Sequence, residues 1–122
     1  EHALRRALRE LRTGIDAYKQ AVDEGRITRA ADASGYPPTL LALVQGVPDA
    51  KSAKPGEGQK QLYFLRRLPR DPFAPPELPA EQTWALRSYG SPPDAPRAGV
   101  DVFDVASRSR QRALDGSWLK DW

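Results

Sequence analysis

An α+β fold is predicted for this chain: a long N-terminal helix packed on a small antiparallel sheet, with a second short helix and proline-rich loops. Three observations predict it. Leu4, Leu8, Leu11, Ile15, Tyr18 and Val22 recur at steps of four and three, which puts one apolar stripe along a single helical face. All 12 prolines lie from Pro37 onward, so nothing breaks a helix before that point and much interrupts regular structure after it. Two later segments, residues 83–89 and 100–106, alternate with the two-residue period of strands.

The first helix is expected over residues 1–24. Arg5, Arg6, Arg9, Glu10, Arg12, Asp16 and Lys19 stand between the stripe positions and form its solvated flank. Gly25 is a natural stop, because glycine accepts the left-handed conformation after a last turn. At 1.5 Å per residue such a helix is about 36 Å long, which is long for a single domain of this size. No Ser, Thr, Asp or Asn precedes Leu4 to cap it, and the chain contains no Met, so more helix is expected upstream of Glu1.

Thr39 is a natural cap for a short second helix over residues 40–44, ended by Gly46 and Pro48. Residues 47–60 carry Pro48, Pro55, Gly56 and Gly58 among charges and read as a flexible surface loop. Residues 61–68 are ambiguous: Leu62, Leu65 and Leu68 fit a helix facing the core, while Tyr63 and Phe64 also suit a strand. A helix is the reading adopted. Pro69, Pro72, Pro75, Pro76 and Pro79 then make regular structure unfavourable until Thr83.

In the first strand, alternation places Trp84, Leu86 and Ser88 on one side and Thr83, Ala85, Arg87 and Tyr89 on the other. Residues 91–99, with Pro92, Pro93, Pro96 and Gly99, make the connection. In the second strand Val100, Val102, Asp104 and Ala106 oppose Asp101, Phe103 and Val105. The two strands should pair antiparallel, with the helix stripe buried on their apolar face. A further short strand is expected near residues 118–122. Trp84, Tyr89, Phe103 and Trp122 are the expected core anchors, and Tyr36 and Phe73, each beside a proline, the expected surface contacts.

Composition narrows the functional classes. The 122 residues suit one domain with a modest core. No run of about 18 apolar residues is available to span a membrane, and no signal peptide is visible. Without cysteine there is no disulfide framework, thiol nucleophile or cysteine metal site. His2 is the only histidine, no glycine-rich phosphate loop or zinc spacing occurs, and Asp101 and Asp104 fall on opposite sides of a strand. A catalyst is the least supported class.

Charge is uneven: residues 1–70 hold 13 Lys and Arg against 8 Asp and Glu, and residues 71–122 hold 6 against 8. A basic first half suits nucleic acid, an anionic membrane surface, or the acidic face of a second copy. A solvated face with no partner explains it equally well. The run Arg108-Ser109-Arg110-Gln111-Arg112 would point three guanidiniums one way if extended, but no aromatic interleaves them to stack bases, so nucleic acid is not expected.

A series of short motifs runs in order along the chain. Gly35-Tyr36-Pro37 follows the long helix and precedes Thr39-Leu40-Leu41-Ala42-Leu43-Val44; then come Leu68-Pro69-Arg70-Asp71-Pro72-Phe73 and Trp84-Ala85-Leu86-Arg87-Ser88-Tyr89-Gly90. Asp101-Val102-Phe103-Asp104-Val105, Asp115-Gly116 and the final Trp122 complete it. In this order the motifs resemble the major pseudopilins (protein G) of bacterial type II secretion, relatives of the type IV pilins. Many type IV pilins staple the C-terminal loop with a disulfide, so the absence of cysteine favours the pseudopilin branch.

That resemblance implies a single pilin-like domain, residues 1–122, with residues 1–25 as the lower half of a spine helix and 36–122 as the globular head. It implies a non-catalytic subunit, processed and methylated at its N terminus and anchored in the bacterial inner membrane by an upstream apolar helix absent from this chain. Its partners would be copies of itself in a periplasmic homopolymer, other pseudopilins and the inner-membrane secretion platform. A minor or DNA-uptake pilin, or a free-standing binding domain, is the alternative. The expected assembly face comprises Arg5, Arg9, Arg12, Asp16, Arg108, Arg110 and Arg112.

The resemblance also implies a calcium site in the C-terminal loop, for which Asp104, Asp115 and Asp121 are the candidate ligands. Hard cations want six to eight oxygens. Here Arg108, Gly116 and Trp118 stand where the family pattern has acidic ligands, so no cofactor is expected, and packing of Trp118 or an Arg–Asp contact should hold the loop. Asp115-Gly116 itself reads as an ordinary tight turn.

Overall fold

The computed structural model describes residues 1–51 and 60–122. Helix α1 spans His2–Asp23, and its stripe residues Leu4, Leu8, Leu11, Ile15, Tyr18 and Val22 are all buried. It ends in a Schellman motif: the Arg26 N–H donates to the Ala21 carbonyl at 2.8 Å and the Gly25 N–H to that of Val22 at 3.0 Å. Gly25 sits at φ +77°, where a Cβ would be strained. Gly14 lies inside the helix on its buried side for a different reason. A Cβ there would meet the Leu65 side chain at 3.2 Å, so the missing side chain lets Leu65 close on the helix.

That contact bears on residues 61–68, which form no helix. Gln61–Leu62 is instead a short strand, β2, paired antiparallel with β1, Val47–Pro48, so that Val47 faces Leu62. The two following amides, Phe64 and Leu65, both donate to the Leu43 carbonyl, at 2.9 and 3.0 Å. Leu62, Leu65 and Leu68 still reach the core, but from an irregular chain. The expected surface loop over 47–60 is therefore a strand at its start, and its residues 52–59 lie outside the described residues. Helix α2 is a single turn, Ala42–Gln45, beginning two residues and ending one residue later than expected, and followed by Gly46. Thr39 is not its cap, since Leu41 holds that position, but the Thr39 Oγ1 two residues earlier accepts from the Ala42 N–H at 3.2 Å.

The second ribbon lies under α1. Strands β3, Trp84–Arg87, and β4, Asp104–Ser107, pair antiparallel with Trp84 opposite Ser107 and Leu86 opposite Val105. Trp84 fills the core and its indole N–H donates to the Pro69 carbonyl at 2.9 Å, so burial leaves no polar atom unpaired. Alternation was right for Trp84, Leu86 and Ser88, but Thr83 is also buried, because it precedes the strand and its Oγ1 bonds the Asp71 N–H and Ala80 carbonyl.

The expected strand over 100–106 is out of frame. Val102 and Val105 are both buried, three residues apart, while Val100 is 89% exposed. A break before Asp104, where the Val102 N–H turns to the Pro37 carbonyl, resets the alternation. Tyr89, expected in the core, is 58% exposed, and Phe103 is only half-buried. Both join Tyr36 in a surface aromatic cluster, Tyr36 stacked on Tyr89 at 5.4 Å and edge-on to Phe103 at 5.0 Å. Tyr36 and Phe73 are half-buried, each packed in part against the core. Near the C terminus the expected strand is a 3₁₀ turn, Leu119–Asp121, preceded by a lone bridge between Arg112 and Trp118.

Two buried aspartates pin the loops to this frame. Asp71 accepts from the Ser107 hydroxyl at 2.6 Å and the Phe73 N–H at 2.9 Å, tying the Pro69–Pro72 bend to the end of β4. Asp101 accepts from the Ser34 hydroxyl, from the Ser88 hydroxyl at 2.8 Å and from the Tyr89 N–H at 3.0 Å. It thereby joins the Gly35-Tyr36-Pro37 junction to the end of β3. Burial pushes the Asp101 carboxyl up, but its Ser34, Tyr89 and Ser88 hydrogen bonds outweigh burial and hold it below the usual carboxylate range.

Leu11→Ala, at a fully buried stripe position, should destabilise the chain by about 2–5 kcal/mol in urea unfolding. The exposed Leu114→Ala should change it by less than about 0.5 kcal/mol. Because the folded carboxyl of Asp101 titrates below its unfolded value of about 3.9, its contribution is full at neutral pH and fades as pH falls through the folded value. Asp101→Asn should therefore cost about 1–2 kcal/mol at pH 7, and this gap from wild type should narrow toward pH 2.5. A gap independent of pH would contradict an ionised Asp101.

Candidate assembly surface

Arg5, Arg9, Arg12 and Asp16 follow one another at helical spacing along the edge of the buried stripe. Two of them lean inward. The Arg12 Nε donates to Asp104 Oδ1 at 2.9 Å and a terminal nitrogen to the Val105 carbonyl at 3.1 Å, so Arg12 grips the rim of β4. The Arg5 guanidinium lies 3.9 Å above the Trp122 ring. Arg9 and Asp16 stay exposed and make no ion pair among the described residues.

The arginine run beyond β4 is not a uniform comb. Arg108 reaches the Gln82 carbonyl at 3.4 Å, Arg110 projects freely, and Arg112 turns back onto Trp118 at 4.3 Å from its ring centre. Arg108 and Arg110 border a groove of about 990 Å³ on the face of the β3–β4 ribbon turned away from α1. It is lined by Ala85 and Ala106, register partners whose methyl groups leave the sheet low, and by Pro93, Pro96, Trp118 and Lys120. A smaller recess of about 300 Å³ continues the groove toward Arg12, Asp104 and Trp122. The helix row and the C-terminal arginines, far apart in sequence, thus flank one ribbon.

The three candidate calcium ligands do not converge. Asp104 is engaged by Arg12 and by the Val105 N–H at 2.8 Å. Asp115 accepts from the Ser117 hydroxyl at 2.6 Å and N–H at 2.9 Å, hydrogen bonds that lower its carboxyl below the usual range. Asp121 lines the groove beside Lys120. Among the described residues no group of three or more His, Cys, Asp or Glu side chains is gathered to hold a metal. Asp115-Gly116 is the tight turn expected, closed by the Gly116 N–H on the Ala113 carbonyl at 2.9 Å. His2 is exposed on α1.

Comparison with protein-family models, with curated proteins and with solved structures found no match to this chain. What stands is the α+β architecture: a long N-terminal helix, a short second helix and two small antiparallel ribbons among the described residues. No described helix is long and apolar enough to cross a membrane.

The side chains that act across the fold, Asp71, Asp101 and the Arg5–Trp122 pair, were not singled out for those roles by sequence. A polar residue beside a proline or glycine signals a turn but does not name its distant partner. The half-exposed Arg12–Asp104 pair should be worth about 1 kcal/mol or less, so Arg12→Ala is expected to shift the urea midpoint slightly. Arg9→Ala and Arg110→Ala should leave it within about 0.5 kcal/mol of wild type.

Proposed function

We propose that this chain is a non-catalytic filament subunit of the type II secretion pseudopilin kind, its helix forming the lower spine and its remainder the head. The observation that carries this reading is the one-sided cover of α1. The head buries one stripe along the whole helix, while Arg6, Arg9, Glu10, Thr13, Asp16 and Gln20 remain exposed along the other side. A polar helix face left open over its full length suits packing against neighbouring copies. The uncovered groove on the opposite side of the ribbon supplies a second, different patch, as heterologous assembly requires. On this reading the intact protein is held in the bacterial inner membrane by an upstream apolar helix and polymerises in the periplasm, alongside other pseudopilins and the secretion platform.

The test begins with the native precursor. It should carry a short basic leader and roughly 20 apolar residues ahead of Glu1. The full-length protein should yield filaments that sediment and are visible by electron microscopy. Arg9→Glu combined with Arg110→Glu should reduce sedimentable polymer by about tenfold or more, through unfavourable charge juxtaposition, with melting unchanged. A native start close to Glu1, or full-length protein that never polymerises, would overturn the proposal.

A further inference from the structure

The segment beyond β4 has little core of its own. Residues 111–119 fold back through the Arg112–Trp118 bridge and an Ala113 N–H to Ser117 carbonyl bond of 2.7 Å. Only Ala113 and Leu119 are buried, while Leu114 is 97% exposed. A lone two-stranded turn of this size is marginal in water, so its order must come from what fastens it.

Three fastenings reach outward, two of them to the start of α1. The Leu114 N–H donates to the Glu1 carboxylate at 2.9 Å. The Trp122 ring lies under the Arg5 guanidinium at 3.9 Å, and its indole N–H donates to Ser117 Oγ at 2.8 Å. Ser117 in turn donates to Asp115 at 2.6 Å, so a continuous path runs from helix cation through indole and hydroxyl to the turn carboxylate. Leu119 closes the strap on the core side, its N–H donating to the Gln111 carbonyl at 3.1 Å. Within this path Asp115 Oδ1 accepts from both the Ser117 hydroxyl and its N–H, and Asp104 is engaged separately by Arg12.

We infer that residues 108–122 form a strap clasped to α1 by Arg5 on Trp122, with Ser117 relaying to Asp115, and that the clasp orders the C-terminal turn without a divalent cation. Arg5 is then a positioning residue within one subunit rather than a contact between subunits. The inference does not rest on the filament reading, and it can fail while that reading stands.

Hydrogen exchange on the 122-residue chain tests it, comparing peptides covering 111–119 with core peptides covering β4. Arg5→Gln should speed exchange in 111–119 by about two- to fivefold, the size of an exposed cation–π contact, with β4 unchanged. Ser117→Ala should act in the same direction, and Arg5→Lys should restore part of the protection. Millimolar calcium or EDTA should move neither wild type nor variants. Protection gained with calcium or lost with EDTA would overturn the inference, as would unchanged exchange in both Arg5→Gln and Ser117→Ala.

Discussion

The stripe on α1 sets the terms for everything else. A helix of 22 residues presents more apolar length than a four-residue-per-strand ribbon can cover, and α1 rests on one such ribbon. The remainder of the cover comes from points scattered through the chain: Leu40 and Leu43 from the second turn, Leu65 at Gly14, Val102 from before β4 and Leu119 from the C terminus. Leu43 and Leu119 arrive on single helical turns and Leu40, Leu65 and Val102 on irregular backbone, because the helix dictates where apolar side chains must land. This is tertiary burial overriding local preference. It explains why the head contains little regular structure despite a continuous core.

Irregular backbone carries a polar cost, and prolines raise it by removing amide donors. The chain meets this with short polar side chains that reach across loops. Asp71 and Thr83 satisfy the bend after Pro69, Asp101 gathers Ser34, Ser88 and Tyr89, and buried Asp49 accepts from Arg26 at 3.1 Å and from the Lys51 N–H at 3.1 Å. For Asp49 the Arg26 hydrogen bond leads, ahead of Lys51, in holding the carboxyl low. These carboxylates do for the loops what ladder hydrogen bonds do for strands. The motifs with Tyr36-Pro37 and Asp71-Pro72 are therefore joints, in which proline fixes the backbone direction and aspartate fixes the destination.

How much of this was legible follows from the range of each signal. The 3.6-residue stripe and the Gly25 stop are local, and both hold in the structure. Residues 61–68 misled because leucines three apart fit a helix as well as they fit three separate landings on α1. The frame of β4 was misplaced because regular alternation begins only at Asp104: upstream of it the neighbours Asp101 and Val102 are both buried, which period-two reading cannot detect. Gly14 gave no signal at all, since a missing side chain adds nothing to a periodic pattern. On the candidate surface, sequence grouped Arg5, Arg12 and Arg112 with Arg9 and Arg110 as equivalent charges. Their partners, Trp122, Asp104 and Trp118, lie 117, 92 and 6 residues away along the chain, and nothing local distinguishes a spent arginine from an open one.

That sorting changes what a contact between copies can use. With Arg5 and Arg112 laid on tryptophans and Arg12 on Asp104, the expected set retains Arg9 and Asp16 on the helix side, beside the exposed Arg6 and Glu10, and Arg108 and Arg110 on the groove side, beside Lys120 and Asp121. The helix and the groove bound opposite faces of a two-layer domain. Contacts through both faces cannot be satisfied in a single two-fold pair and would propagate instead. Exposed ion pairs contribute little singly, so such contacts would take their strength from repetition along the helix and from the low Ala85–Ala106 pair rather than from any one arginine. The intramolecular partners of Arg5, Arg12 and Arg112 take three of the six expected arginines out of the set such contacts could use, leaving Arg9, Arg108 and Arg110.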